Sequence, residues 1–340
     1  MEKTTFKALV VAESGDGIFA RKIEQKKLLE LPPGDVLVRV RYSSLNYKDA
    51  LSSIGNRGVT RKYPHTPGID AAGIVENSDS EALQAGDRVI VTSYDLGMNT
   101  AGGFGQYIRV PAQWVVRLPR GLTLKESMIF GTAGFTAGLS VHELIQSVKP
   151  EDGEVLVTGA TGGVGSVAVG ILSKLGYAVV AVSGKPESKE FLAGLGVRSV
   201  ISREQAGDTS GRPLLKGRWA GVVDAVGGDI LATAIKSANS GATVTCCGNV
   251  ASPDLPLTVF PFILRGIRLV GIDSQNCPME HRMAIWHKLA TEWKIDQLGD
   301  LCREISMEQL SENLDLLLQG KSRGRVILDL NQNLPFMDEH

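Results

Sequence analysis

A chain of 340 residues, 43% hydrophobic and 21% charged, has the balance of a globular protein and the length for about two domains. Its 36 basic and 37 acidic residues leave a net charge of -1, which excludes a global field for nucleic acid or acidic membranes. No uninterrupted apolar run reaches the roughly 20 residues a spanning helix needs, and the short stretch Ala8–Ala12 meets Glu13 too soon for a secretory signal, so a cytoplasmic protein is expected.

The first third reads as β-rich and loop-rich. Val36–Tyr42 alternates, Gly86–Val91 reads as a turn into a strand, and Tyr107–Pro111 as another, with glycine and proline throughout. From about Lys125 the texture changes. Met128–Leu144 is helix-like and broken by small residues. Short apolar strands then recur at Val155–Thr158, Ala178–Ser183, Ser199–Ser202, Gly221–Ala225 and Ala242–Cys247, with helical patterns between them. Such a series is a set of βαβ units, hence a parallel sheet. Arg268–Asp273 reads as one more strand, Met279–Trp293 and Met307–Leu318 as helices, and Arg325–Leu330 as a closing strand. Residues 331–340 are polar and acidic, as a frayed tail would be.

The chemistry concentrates in Val155–Gly165. A β-branched run enters the turn Gly159-Ala160-Thr161-Gly162-Gly163-Val164-Gly165, and an amphipathic pattern follows from Ser166 to Leu172. Strand, glycine turn and helix in that order suit a dinucleotide pyrophosphate, which needs close backbone approach and the N–H groups of a helix start. Ala160 stands where the common fingerprint has its first glycine, so the match is a variant. In NAD-selective sites an acidic side chain at the end of the second strand holds the ribose 2′-hydroxyl. Here that strand ends in Val182-Ser183-Gly184-Lys185, a hydroxyl and a cation without a carboxylate, which favours NADPH. Arg198, just before the next strand, is a second candidate for the 2′-phosphate.

The four cysteines, Cys246, Cys247, Cys277 and Cys302, form no C-x-x-C pair. Cys246 and Cys247 sit in an apparent buried strand and read as small core residues. The five histidines are scattered, and no H-E-x-x-H occurs.

With the glycine turn placed, the chain resembles the medium-chain dehydrogenase/reductase superfamily. The likeness is to the zinc-free quinone-oxidoreductase branch, and within it to the group of NADPH-dependent acryloyl-CoA reductases. It runs from about Phe6 to Leu330 and is carried by Ser43-Ser44-Leu45-Asn46-Tyr47-Lys48-Asp49-Ala50, Pro67–Gly73, Gly131–Ala137, the glycine turn, Pro261–Gly266 and Gly271–Ser274. The resemblance implies an α/β fold: a GroES-like β-barrel catalytic domain (1–124 and 296–330) with an inserted Rossmann dinucleotide-binding domain (125–295). It also implies a homodimer joined through the strand Arg268–Asp273. Metal-dependent members place a cysteine ligand at the position of Asn46 and a histidine at that of Ile69. Neither residue here is a zinc ligand, and the loop Thr92–Gly103, which corresponds to their structural-zinc lobe, has no cysteine, so no metal is expected.

The cofactor contacts implied for NADP(H) are Tyr47, Thr132, Thr161, Gly162, Gly163, Val164, Ser183, Gly184, Lys185, Arg198, Asn249, Ile263 and Ser274. The loop Gln319–Arg325 also turns towards the cofactor in the family. In enoyl-thioester reduction hydride reaches the β-carbon and charge develops on the carbonyl oxygen, so a donor aimed there lowers the barrier. Tyr47 is the candidate donor, with packing on the nicotinamide ribose as its alternative role, and Asn46 would position it or contact substrate. Asp49 is expected to fix its loop or meet a cation. Arg57, Arg61 and Lys62 form a basic loop that could hold coenzyme A phosphates. A quinone reductase is the rival enzyme reading, and a non-catalytic NADPH-binding protein the third.

Overall fold

The computed structural model describes residues 4–15 and 17–331; the expected tail, 332–340, lies outside the described residues. Two compact units divide the chain. One comprises Met1–Thr132, Gln275–Met283 and Leu298–His340, the other Ala133–Ser274 and Ala284–Gln297. The joins thus fall after Thr132 instead of at 124/125, and the short segment Gln275–Met283 belongs with the first unit.

In the first unit β1 (Thr5–Glu13) pairs antiparallel with β2 (Phe19–Lys27). The outer strand β2 is largely exposed and rich in Arg and Lys, a composition that discourages edge-to-edge pairing. A seven-stranded sheet follows, built on β3 (Val36–Ser44), with α1 (Tyr47–Ser52), β4 (Asp70–Ser78), β5 (Arg88–Thr92), β6 (Tyr107–Val110) and β7 (Val115–Arg117). β3 pairs antiparallel with β4 on one side and β6 on the other, so its Val-rich sequence is buried along most of its length.

The helix α2 (Leu124–Ile145) is broken at Gly131, whose φ of 52° and ψ of -159° are not helical. The broken pattern expected over Met128–Leu144 is this kink. A Cβ at Gly131 would stand 2.4 Å from Ser44 Oγ and 2.5 Å from Asp70 Oδ2, so the glycine gives the backbone access to a buried polar cluster. By length and composition α2 could cross a membrane, but 78% of its apolar window is buried inside the fold, as in a core helix.

The second unit carries β8 (Glu154–Val157), α3 (Gly163–Lys174), β9 (Ala178–Val182), α4 (Lys189–Gly194), β10 (Ser199–Ile201), α5 (Arg203–Ala206), β11 (Trp219–Asp224), α6 (Gly228–Lys236), β12 (Ala238–Cys246), α7 (Phe260–Arg265) and β13 (Arg268–Gly271). All six strands are parallel, in the order β10-β9-β8-β11-β12-β13. Numbered within the unit this is 3-2-1-4-5-6, the doubly wound dinucleotide-binding order, with its reversal beside β8. The short apolar runs expected from sequence are the buried strands themselves: Leu156, Val180, Val222 and Val244 meet in one core.

After α8 (Met279–Ala290) the chain returns to the first unit through β14 (Cys302–Ile305), α9 (Leu310–Leu318) and β15 (Arg325–Asp329). β15 pairs antiparallel with the end of β3, setting Ile327 opposite Ser44. Leu310, Leu314 and Leu328 join Val36, Val38, Phe104 and Ile108 in the core, so that core is incomplete without the C-terminal segment.

Gly131→Ala should therefore destabilise the protein by at least about 2 kcal/mol, because a left-handed φ and a polar clash act together. Chemical denaturation checks this; a loss below about 0.5 kcal/mol would contradict the packing described.

Candidate active site

Each unit holds one half of the candidate chemistry. In the first, β3 ends in Ser44 and the chain turns through Leu45 and Asn46 into α1. Asp49 caps this helix by accepting the Asn46 backbone N–H at 2.8 Å. Its other oxygen accepts the N–H groups of Gly68 (3.2 Å) and Ile69 (2.9 Å). Asp49 thus fixes its loop, as expected, and the bonds it accepts come from backbone rather than from a cation. Burial, reinforced by Asp70, pushes its carboxyl up to about 7.

Asp70, at the start of β4, is the hub. Its carboxylate accepts from Ser44 Oγ (2.5 Å), Asn46 Nδ2 (2.7 Å), Thr132 Oγ1 (2.5 Å) and the Thr132 backbone N–H (2.9 Å). Arg325, the first residue of β15, lies 3.8 Å away and donates to Ser44 Oγ at 2.8 Å and to the Ile129 carbonyl at 2.9 Å. Both charged side chains are almost fully buried. Desolvation lowers the pKa of Arg325, and Asp70 opposes that shift. Asn46 is 8% exposed, whereas Tyr47, beginning α1, is 39% exposed. Ser93 Oγ stands 3.0 Å from Thr132 Oγ1, on a backbone with φ of 65°.

A zinc ion does not fit this donor set. The Asn46 amide nitrogen is committed to Asp70, Ile69 offers no donor atom, and His65 Nε2 is 2.9 Å from the Gly97 carbonyl. Among the described residues no group of three or more His, Cys, Asp or Glu is placed to hold a metal. The loop Thr92–Gly103 is closed by Asp95, which accepts from Asn99 and Thr100.

In the second unit the turn after β8 has Gly159 at φ 58° and Gly162 at the start of α3. A Cβ on Gly165 would lie 2.3 Å from the Gly159 carbonyl oxygen, so only glycine lets the helix sit this close to the turn. Thr161, Gly162, Gly163 and Val164 therefore lie together at a helix N-terminus, suited to a pyrophosphate. Asp224 ends β11 and braces the turn: it accepts from Thr158 Oγ1 at 2.6 Å and from the Gly227 N–H at 2.8 Å. Burial raises its pKa. Ser183 and Gly184 follow directly on the carboxyl end of β9, and Lys185, Asn249 and Ser274 each stand three residues past the ends of β9, β12 and β13. Ile263 stands on α7, 66% exposed.

One sequence expectation needs correction. Arg198 precedes β10 and its N–H bonds the Val179 carbonyl, at the amino edge of the sheet; its side chain lies 3.5 Å from Glu154. Ser183 instead aligns with Ile201, roughly 10 Å further along the strand. The cation at that corner is Arg203, just past β10: a Cβ on Gly184 would lie 2.7 Å from its Nε. Arg203 was legible as the residue after the third strand, as Lys185 follows the second.

Arg57 is likewise engaged locally. It donates to Glu13 (2.6 Å) and the Arg61 carbonyl (2.8 Å) and lies 5.1 Å from the Tyr63 ring centre, yet its side chain stays half exposed, and Arg61 and Lys62 are exposed beside it. Cys246 and Cys247 are half-buried beside Asp224, and Cys246 packs against the core of the parallel sheet. Burial and Asp224 push the Cys247 thiol up to about 12. Asp70, Arg325 and Asp224 carried no spacing signal that would have singled them out.

The family comparisons agree with both halves. Residues 32–120 match the alcohol dehydrogenase GroES-like domain and residues 163–290 the zinc-binding dehydrogenase domain. Acrylyl-CoA reductase AcuI of Ruegeria pomeroyi is 44% identical over 96% of this chain and 99% of its own. YhfP of Bacillus subtilis, provisionally named a quinone oxidoreductase, is 45% identical; its crystal structure with NAD bound covers 96% of this chain and 100% of that one, at a TM-score of 0.94. Escherichia coli YhdH, solved with NADPH, is 41% identical at a TM-score of 0.92, covering 95% and 100%. The chain belongs to the medium-chain dehydrogenase/reductase superfamily, built of a GroES-like and a Rossmann-like domain.

The raised Asp49 carboxyl gives a signed pH effect. A folded pKa of about 7, above the unfolded 3.8, contributes stability that is fully present below the unfolded value and lost as pH rises through 7. Urea denaturation at about pH 5 and about pH 8 should show a smaller difference in Asp49→Asn than in the wild type; an equal difference would contradict this.

Proposed function

We propose that the protein is an NADPH-dependent, zinc-independent reductase of the activated C=C bond of a short α,β-unsaturated acyl-CoA, of which acryloyl-CoA is the reference. The observation that carries the cofactor half is the corner formed by Ser183, Lys185 and Arg203 at the carboxyl ends of β9 and β10. A hydroxyl and two cations suit a 2′-phosphate. The acyl-CoA half rests on relatives 44% and 41% identical that are named acrylyl-CoA reductases. A quinone reductase is the second reading, favoured by the name of the 45% identical relative.

Bound NADPH supplies hydride to the substrate's β-carbon, and a proton then completes the α-carbon. The chain's own part is to hold and orient. Thr161, Gly162, Gly163 and Val164 take the pyrophosphate, while Asn249, Ile263, Ser274 and Thr132 stay assigned to the cofactor. Tyr47, the exposed phenol after Asn46, donates to the carbonyl oxygen as the enolate forms. A homodimer follows from the same reading. Among the described residues β13 pairs only with β12, its Leu269 is exposed, and Phe260, Ile263 and Leu264 of the preceding α7 are exposed apolar side chains.

Arg203→Ala should weaken NADPH binding about tenfold to a hundredfold, since a charge-assisted hydrogen bond is lost, while Arg198→Ala stays within about twofold. Titration of both variants checks this; the reverse order would return Arg198 to the site.

Turnover in strong chelator with acryloyl-CoA and with a benzoquinone decides the substrate. Acryloyl-CoA should have the higher kcat/KM, full activity should survive the chelator, and Tyr47→Phe should lower kcat on the order of a hundredfold. A faster quinone reaction would hand the assignment to the second reading, and activity restored only by added zinc would overturn both.

A further inference from the structure

The second unit has a buried carboxylate of its own. Asp224 and Thr158 are both fully buried. Four donors face the Asp224 carboxylate: Thr158 Oγ1 at 2.6 Å, the Gly227 N–H at 2.8 Å, the Val226 N–H at 3.3 Å and Cys246 Sγ at 3.8 Å. Thr158 Oγ1 in turn accepts the Ala225 N–H at 3.0 Å, so its own proton is committed to the carboxylate. One side chain thereby ties the residue just before the glycine turn to the turn that follows β11.

That second turn reaches further. The Ala251 N–H bonds the Val226 carbonyl at 2.9 Å, the Cys247 N–H bonds the Asp224 carbonyl at 3.0 Å, and Gly227 bridges to Ser252. There is little room to shift: a Cβ on Gly248 would stand 2.2 Å from the Ala225 carbonyl oxygen, and one on Gly159 would stand 3.0 Å from Val226 Cγ1. Residues 225–228 are therefore wedged between the glycine turn and residues 247–252, the segment that carries Asn249. The 2′-phosphate corner is set apart by the sheet order. Its strands, β9 and β10, lie on one side of β8, whereas β11 and β12 lie on the other.

We infer that Asp224 is a positioning residue for one half of the cofactor. It holds the pyrophosphate turn and the Asn249 segment in mutual register and takes no part in the corner of Ser183, Lys185 and Arg203. The inference rests on the reading of the chain as an NADPH-binding enzyme.

The test compares two ligands by calorimetric titration without substrate. NADPH needs the pyrophosphate turn and the Asn249 segment, whereas adenosine 2′-monophosphate carries the 2′-phosphate and neither pyrophosphate nor nicotinamide. Asp224→Asn sets an NH2 among donors, and Thr158→Val removes the hydroxyl link from the opposite side with little change of shape. Each should weaken NADPH about tenfold and leave the monophosphate within about twofold of wild type. Because both variants break one link, the double variant should lose less than the product of the two single losses. Arg203→Ala, in contrast, should weaken both ligands.

A folded Asp224→Asn that loses both ligands in equal proportion would make Asp224 general scaffolding and overturn the inference, as would an unchanged NADPH affinity. Thr158→Val carries the same expectations should Asp224→Asn not fold. A wild type that binds neither ligand would overturn the cofactor reading itself, and the inference with it.

Discussion

A carboxylate taken out of water must find donors for its oxygens, and the way Asp70 meets that demand organises the first unit. Ser44 from the end of β3, Asn46 from the helix cap, Thr132 from beyond the kink in α2 and Arg325 from β15 all converge on it. These come from opposite ends of the sequence, so the hub cannot form until the chain has returned from the second unit. The left-handed Gly131 follows from the same demand, since any side chain there would enter the cluster. Removing one partner of such a pair leaves the other buried and unpaired, which is typically worth about 3–5 kcal/mol.

The hub also keeps the Asn46 and Ile69 positions ordered without a metal ion. Where metal-dependent relatives place ligands, this chain has an asparagine held by a carboxylate and an isoleucine held by its backbone N–H on Asp49. Fixed hydrogen bonds do the orienting that coordination would otherwise do. Under the proposed function the substrate carbonyl needs a donor, and Tyr47, adjacent in sequence and open to solvent, is the residue proposed for it.

Much of the fold was legible because it rests on local pattern. Short β-branched runs separated by helical stretches became the parallel sheet, and the glycine turn became a strand-to-helix junction at the centre of the strand order. What failed was any inference needing a direction in space. Arg198 and Arg203 flank the same three-residue strand, and only the parallel alignment of β9 with β10 shows which stands at the carboxyl edge. The aromatic rings and the acid that stand beside the half-exposed Arg57 come from distant segments and carried no local signal. Asp70 lay inside a quoted motif without being singled out, since its partner Arg325 is distant in sequence and no periodicity links them.

The most direct measurement of the central claim is a double-mutant stability cycle on Asp70 and Arg325. Unfolding free energies would be compared for Asp70→Asn, Arg325→Met, the two together and the wild type. If the two charges are held in place for each other, Arg325→Met should be strongly destabilised and the double variant should recover part of that loss, giving a coupling energy above about 1 kcal/mol. Strictly additive losses would mean that the two residues act independently and that Asp70 does not organise the site.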